Sequence, residues 1–498
     1  MSEFTYTSEQ AAIISYDGPR LVVKAFAGTG KTFTMVHFAL ARPHLKFLYL
    51  AFNRSVRDEA ELKFPSNVTC MTYNQLCYHR CGVRYRHKLV QSLRVVDVAE
   101  ILGLRNWIEA RDVIAAIDAF CNSNDDVLDY SHFRSQAMQP SQHYVRSVIA
   151  NAMAYWAQMI DPENATPIHH NGYTKVFELS RPDLSIDFDG ILYDEGQDSP
   201  PSTIKVLVMQ QNLQLIIIGD PAQSIYLFRD AVDALSSPEL EDATCLTLTE
   251  SFRFGPGIAA VANVFLLLSG EQRRVKGLAI GDRVLEPEKF KWSSHQGQVC
   301  ILARTVAIVL GVALYFSGKG KKVGFVGGFD SYGFDDIEQA FYLYLGDMPK
   351  LKGTRLVREF PTFQQYEAFA EATKDNEMLR TCRIIADYPT LPIQLATLKQ
   401  QLYAPEECDI LVGTAHKSKG LEFPTVYLAS DFPDLFSPDS PYTDAELQQE
   451  INLYYVATTR AQKLLVLNEG AVEAIKRVAK YQKENPRSTP VAPMSVAS

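Results

Sequence analysis

The 498-residue sequence has no long apolar run. Its longest nearly apolar stretch, Val306 to Phe316, falls well short of the roughly 20 residues a membrane-spanning helix requires, so an integral membrane protein is not expected. The opening MSEFTYTSEQ has neither a basic nor an apolar region, which gives no secretory signal and makes the cytoplasm the default compartment, in a nucleoid or a host cell, with the nucleus not excluded. Cysteine is sparse, at eight residues, too few for a disulfide scaffold in a chain of this length. Cys77, His79 and Cys81 stand close together, yet no second Cys or His pair follows at a ligand spacing, so buried reduced thiols are expected rather than zinc. Positive charge is not in excess either. The net charge of -9 excludes a protein that grips nucleic acid by bulk attraction, while local basic surfaces remain open to it. There is no internal repeat of fixed period and no low-complexity block. What is present, 47% hydrophobic and 21% charged residues, is the composition of a globular protein, and the length implies three or four structural units.

Short β-branched runs recur, each ending in a polar or glycine-rich loop, with helical patterns between them, which is the rhythm of parallel α/β units. Strands are expected at 21–25, 46–51, 68–72, 190–193, 213–219 and 244–248, and again at 298–303, 322–326, 409–413, 425–429 and 464–467, implying two separate sheets. Two long segments interrupt the rhythm. One, from Tyr78 to about Asp187, reads as mostly helical; the other, from Gly346 to about Glu407, has mixed character. The tail from Asn485, rich in Pro, Ser and Ala without periodicity, is expected to be disordered.

The sharpest local signal is Ala25-Phe26-Ala27-Gly28-Thr29-Gly30-Lys31-Thr32, placed after an apolar strand and before a helix expected at 33–41. Strand, small-residue loop and helix in that order make an anion cradle, because free backbone N–H groups at the helix start point at phosphates. Lys31 would reach the β and γ phosphates of ATP and the Thr32 hydroxyl would bind Mg²⁺. The alternative is an ordinary glycine loop. The metal also needs a carboxylate at the end of a neighbouring strand, and Gly190-Ile191-Leu192-Tyr193-Asp194-Glu195 supplies Asp194 for Mg²⁺ and Glu195 to accept a proton from the attacking water. Taken alone, the same acidic pair reads equally as a loop capping a helix that begins near Pro200. A third strand ends in Asp220-Pro221-Ala222-Gln223, where Gln223 has the length to sense the γ-phosphate. Tyr226, Phe228 and Arg229 follow, and their flat faces and positive charge suit stacking on unpaired bases, or else a place in the core.

With these runs in view, the sequence resembles the UvrD, Rep and PcrA group of superfamily 1 DNA helicases. Ser8-Glu9-Gln10 resembles the adenine-reading glutamine motif; Ala51-Phe52-Asn53-Arg54 and Thr72-Tyr73-Asn74 resemble the first DNA-contacting motifs. Glu250-Ser251-Phe252-Arg253, Val412 through Phe423 and Tyr455 through Ala461 resemble the fourth, fifth and sixth, in the family's order. The wording is nearest to the motor part of F-box DNA helicases; few residues precede Ser8, so no F-box is expected.

The resemblance implies an α/β fold of two RecA-like P-loop domains, each with an inserted subdomain. The first sheet domain would comprise 1–77 and 188–269, with a helical insertion at 78–187; the second, 270–345 and 408–484, with a reduced insertion at 346–407, and 485–498 as the tail. It implies nucleotide contacts from Gln10, Ala27, Gly28, Thr29, Gly30, Lys31, Thr32, Phe252 and Glu422, and arginine fingers at Arg253 and Arg460. It implies DNA contacts from Phe52, Asn53, Arg54, Thr72, Tyr73, Asn74, Tyr226, Phe228, Arg229, Thr414 and His416. The implied activity is ATP-dependent 3′ to 5′ movement on single-stranded DNA with duplex unwinding. The partners would be single strands and single-strand/duplex junctions, with recombination or replication proteins, and the motor a monomer acting away from membranes. The rival readings are a translocase that strips proteins from single strands, and a nucleotide-switched DNA-binding protein without turnover.

Four departures stand out: Ala25 where many P-loops have glycine, and, against the family's usual residues, Gly196 for alanine, Asn74 for histidine and Phe228 for tryptophan. Glycine at 196 is expected to loosen the loop after Glu195. The 346–407 segment is much shorter than the family's 2B domain. Arg80, Arg84, Arg86, Lys88 and Arg94 form a basic run that either contacts duplex phosphates or is a solvated face, and Lys476, Arg477, Lys480 and Lys483 form a weaker one.

Overall fold

The computed structural model describes residues 5–135, 140–225, 233–351, 355–373, 375–437 and 442–484. The expected tail lies outside them.

The first sheet contains β1 (Arg20–Ala25), β2 (Phe47–Ala51), β3 (Val68–Thr72), β4 (Gly190–Tyr193), β5 (Gln214–Gly219) and β6 (Thr244–Leu248), in the order β3-β2-β4-β5-β1-β6 with every pairing parallel. All five residues of β2 and all four of β4 are buried, as expected of central parallel strands covered on both faces. Because the strands are parallel, the loops after β1, β2, β3, β4 and β5 emerge at one edge, where ligands of open α/β sheets bind. The sequence put the carboxylate strand beside the P-loop strand; β5 in fact stands between β1 and β4.

A two-residue pairing of β7 (Glu250–Ser251) with β8 (Lys276–Gly277) follows. The second sheet is built from β9 (Arg283–Leu285), β10 (Val299–Ala303), β11 (Val323–Phe325), β12 (Ile410–Thr414), β13 (Phe423–Leu428) and β14 (Ala461–Val466), in the order β11-β12-β10-β13-β14-β9, again parallel. The β13–β14 register slips between Phe423 and Thr425, around Pro424, which has no N–H to give a ladder.

The first insertion is mainly helical, with long helices Trp107–Asn122 and Gln142–Ile160. The second, read as mixed, takes its regular elements from five helices, Met348–Leu351, Arg355–Glu359, Phe363–Thr373, Asn376–Asp387 and Leu391–Gln400, and then makes a single bridge from Leu402 to Val323 among the described residues. Tyr366, Phe369, Ala370 and Thr373 are buried at helical spacing, but helices this short, broken by prolines such as Pro361 and Pro389, give no long period to read. The insertions meet. Arg94 Nη1 lies 2.7 Å from Glu359, Arg111 Nη1 donates to Thr373 O at 2.8 Å, and the Trp107 and Phe369 rings are 4.9 Å apart.

The basic run is largely used inside the protein. Lys88 is buried and donates to the carbonyl of Asn164 at 2.8 Å, Arg80 pairs with Asp187, and Arg94 pairs with both Asp97 and Glu359. The first insertion is held to the helix Pro201–Val208 by a triad around two buried groups, in which Glu178 lies 2.8 Å from the buried Lys175 and 2.7 Å from the partly exposed Lys205. One apolar core runs between the sheets: the helix Pro256–Leu268 packs on Asp444–Thr458, with Phe265 and Tyr454 stacked at 4.9 Å, and it continues to Phe26 and Ala27 of the loop after β1.

Candidate nucleotide cleft and nucleic-acid groove

The loop after β1 turns through two left-handed residues, Gly28 at φ 72° and Gly30 at φ 81°, before the helix Lys31–Leu40 begins. Gly28 has to be glycine: a Cβ there would stand 2.5 Å from Ser251 Oγ and 2.6 Å from Arg253 Cβ. Thr29 Oγ1 donates to Phe26 O at 2.8 Å and closes the turn. Gln10 is buried above it; its Oε1 accepts from Thr7 N in a capping box, while its Nε2 faces Gly30. Phe252 N donates to Gly28 O and leaves its ring half-exposed beside the loop. Ser251 Oγ is buried there without a partner, a donor aimed into a cradle of backbone.

Three carboxylates converge on Lys31. Asp194 Oδ2 accepts from Tyr49 OH at 2.7 Å, and Glu195 Oε1 lies 3.5 Å from Lys31 Nζ. Glu195 has φ 54°, a conformation non-glycine residues rarely adopt. Gln197 Nε2 donates to Glu195 Oε2 at 2.5 Å, and Gln197 Oε1 accepts from Asp220 N at 2.9 Å, so one buried amide links the ends of β4 and β5. Burial and the neighbouring Glu195 push Asp194 up to about 6. Burial would raise Glu195 too, but Lys31 and Lys419 outweigh it and hold the carboxyl at about 2. Burial also raises Asp220.

The second sheet supplies the opposite wall. Arg460, only 1% exposed, precedes β14 and donates from Nη2 to Gln223 Oε1 at 3.2 Å; burial, then repulsion from Arg253, lowers it to about 9. Gln223 Nε2 donates to Asp220 Oδ2 at 2.6 Å. Tyr455 OH donates to Asp220 Oδ2 at 3.1 Å and lies 3.1 Å from Ala27 N, tying the helix Asp444–Thr458 to the P-loop. Arg253 Nε donates to Glu422 Oε2 at 2.7 Å and its Nη1 to Thr459 O, so Arg253 and Glu422 meet each other at the cleft rim.

Beyond this cleft lies a groove of about 640 Å³. Phe52, Asn53, Arg54, Thr72, Tyr73 and Asn74 line one wall, and residues of the first insertion, among them Asp118 and Asn122, line the other. Asn53 and Thr72 cap helices, accepting from Val56 N and Gln75 N, so their side chains serve the fold as well as the groove. Tyr73 is half-buried with its OH enclosed, whereas Phe52 and Asn74 are exposed. Thr414 is buried at the end of β12, and His416 is lowered to about 4 by burial and then Arg304, so the imidazole is neutral near pH 7. Lys419, in the same loop, pairs with Asp198, donates to Gln223 O at 2.7 Å and sits 5.7 Å from the Phe52 ring, joining groove to cleft. Tyr226, Phe228 and Arg229 lie outside the described residues.

Family comparison agrees with the geometry. The UvrD/REP helicase N-terminal domain matches residues 116–237, and the UvrD-like helicase C-terminal domain matches 356–469. The chain carries both domains of the UvrD-like helicase family. It is 29% identical to F-box DNA helicase 1 of Gallus gallus over 94% of the chain and 49% of that protein. It is 30% identical to F-box DNA helicase protein 1 of Schizosaccharomyces pombe over 93% of the chain and 57% of that protein. The chain thus spans about half the length of the curated relatives it matches. No helix of the described residues is long and apolar enough to cross a membrane.

In this UvrD-like chain the glycine at 196 tightens rather than loosens its loop, because a Cβ there would meet Ile217 Cγ2 at 2.6 Å. The sequence reading passed over Tyr49, Gln197, Asp198, Asp220, Lys419 and Tyr455. Asp220, Lys419 and Tyr455 lie inside the motif runs above and Gln197 and Asp198 just past the end of one; Tyr49 sits mid-strand, where an aromatic reads as core. Cys77 and Cys81 are buried in the first insertion, Cys81 Sγ donating to the carbonyls of Cys77 and Tyr173.

Proposed function

We propose that the chain is an ATP-driven DNA helicase that moves 3′ to 5′ along single-stranded DNA and opens duplex ahead of it. The observation that carries this reading is the Arg460–Gln223 contact at 3.2 Å, which puts a buried cation from the second sheet over the carboxylate and lysine cluster of the first. ATP would lie between the sheets, its phosphates on the N–H groups of residues 27–32 and on Lys31, its adenine against Phe252 and near Gln10, and its ribose by Glu422. The unpartnered Ser251 Oγ and the glycine-only turn at Gly28 fit such a ligand.

Hydroxyl and carboxylate oxygens suit a hard cation, and the Asp194 carboxyl, raised by burial and then by Glu195, is ionised more readily beside one. Thr32 and Asp194 would hold Mg²⁺, which when bound supplies positive charge to the phosphates. Glu195, ionised and positioned by Gln197, would take the proton of the attacking water. Arg460 and Arg253 would stabilise the charge developing on the transferred phosphoryl group, and Gln223 would report the γ-phosphate to both sheets. Arg253 would first leave Glu422, freeing that carboxylate for the ribose. Hydrolysis removes the phosphate that Arg460 and Gln223 share, so the sheets part.

DNA would lie in the groove beneath Phe52, Arg54, Tyr73 and Asn74, with the Thr414–His416 loop opposite and Tyr226, Phe228 and Arg229 as further stacking groups. Lys419 touches both sites and would carry the exchange between them. Unwinding assays on 3′-tailed and 5′-tailed duplexes test the reading: only the 3′-tailed substrate is opened, and equal opening of both, or of the 5′-tailed alone, rejects the assigned direction. A second reading, protein displacement with little unwinding, draws on the small second insertion, which is docked on the first through Trp107 and Phe369. Removal of a bound protein from single strands by a preparation that opens no duplex would favour it.

A further inference from the structure

Strand β2 sends Phe47 and Tyr49 to one face of the first sheet, into an apolar cluster with Met35, Phe38, Leu192 and Ile218. Phe38 and Phe47 meet edge to face at 5.8 Å, so a phenyl ring satisfies the packing there. Tyr49 carries a hydroxyl into the same surroundings, although it is fully buried and its ring already rests on Phe64 at 4.6 Å. A buried hydroxyl is unfavourable unless it is hydrogen-bonded, so packing alone does not account for a tyrosine at this position.

The partner is Asp194. Tyr49 stands opposite Leu192 across the β2–β4 ladder, and Asp194 lies two residues further along the chain, where its Oδ2 accepts from Tyr49 OH at 2.7 Å. The other oxygen, Oδ1, accepts from Glu195 N at 2.9 Å. One donor on each oxygen fixes the rotation of the carboxyl and leaves acceptor capacity on both for a cation. Among the described residues Lys31 pairs with Glu195 rather than with Asp194. An Asp194 carboxylate free to turn would be drawn toward that ammonium, and the Tyr49 hydroxyl opposes the turn.

We propose that Tyr49 is a positioning residue for metal binding: its hydroxyl orients the Asp194 carboxylate toward the Mg²⁺ that Thr32 and Asp194 would hold, acting through Asp194 alone. The assignment rests on the nucleotide site proposed above. It gives the two neighbouring carboxylates separate supports, Tyr49 for Asp194 and the Gln197 amide for Glu195. Removing a group that orients a metal ligand typically costs about 10 to 100-fold in metal affinity or activity.

The test compares wild type with Tyr49→Phe, which keeps the ring on Phe64 and removes one oxygen. Binding of a fluorescent ADP to the full chain is followed by anisotropy in EDTA and across a Mg²⁺ titration, beside ATP hydrolysis over the same titration. In EDTA the two chains bind ADP alike, whereas the Mg²⁺ concentration that half-saturates both binding and hydrolysis rises about tenfold or more in Tyr49→Phe. At saturating Mg²⁺ the KM for ATP stays near the wild-type value. In an Asp194→Asn background, adding Tyr49→Phe shifts the Mg²⁺ dependence of ADP binding no further, because the group it acts through has been replaced. An unchanged Mg²⁺ requirement in Tyr49→Phe overturns the assignment, and so does a full additional shift in the Asp194→Asn background. Equal loss of ADP affinity with and without Mg²⁺, or a thermal midpoint in EDTA lowered by several degrees with the Mg²⁺ requirement retained, would make the hydroxyl a structural group and also overturns it. A wild-type chain whose ADP binding ignores Mg²⁺ overturns it as well. A wild-type chain that binds ADP with Mg²⁺ but hydrolyses no ATP defeats the function proposed above, and the Tyr49 comparison then stands on ADP binding.

Discussion

Asp194 and Glu195 are neighbours in the chain and opposites in chemistry. Asp194 keeps its proton up to about pH 6 because it is buried beside another carboxyl, while Lys31 and Lys419 keep Glu195 ionised. A carboxyl whose folded pKa lies above its ordinary value favours folding while protonated and opposes it once pH rises through the folded value. Asp194→Asn is therefore expected to raise the unfolding midpoint of the nucleotide-free protein at pH 8, by an amount on the order of 2 kcal/mol. The gain should shrink as pH falls toward 4, and ATP hydrolysis should be lost at every pH. Thermal scans at pH 8 and pH 5 check this; a variant less stable than wild type at pH 8 would contradict it. The motif runs made these two residues legible. Their opposed charge states were not, because Tyr49, Lys419 and the φ of 54° at Glu195 become neighbours or constraints only in the fold.

At the scale of elements, both glycine loops of the cleft are under steric constraint, for different reasons. Gly28→Ala adds a Cβ in the left-handed region and against Ser251 and Arg253, so nucleotide binding should fall by at least about tenfold, a loss of about 1.4 kcal/mol or more. Gly196→Ala keeps an ordinary φ but presses on Ile217, and should lower stability by about 1 to 3 kcal/mol, read from the denaturant midpoint, even though alanine is the family's usual residue. The strands of both sheets were legible to within about three residues because buried parallel strands are continuous β-branched runs. The three residues of β9 were too short to show, and the second insertion was misread because proline-broken helices leave no long period. Gly196 was misjudged because sequence does not reveal what a missing Cβ would touch.

For the whole molecule, the two sheets share one core through the helix Pro256–Leu268, the insertions touch through Trp107 and Phe369, and Arg460 crosses the cleft. Arg460→Lys keeps a charge but loses the planar fork, so kcat for ATP should drop by about 100-fold or more with KM little changed. A parallel fall in affinity would instead make Arg460 a ground-state contact. The order of motifs foretold the two-sheet plan, while the closed contact between insertions depends on Arg94, Arg111 and Glu359, which carry no motif. DNA bound in the groove is expected to govern chemistry in the cleft, since Lys419 touches both. Steady-state ATP hydrolysis with and without saturating oligo-dT tests it most directly. The expected result is a stimulation of at least about tenfold in wild type and no hydrolysis above background, with or without DNA, in Lys31→Ala; a rate indifferent to DNA, or untouched by Lys31→Ala, would contradict it.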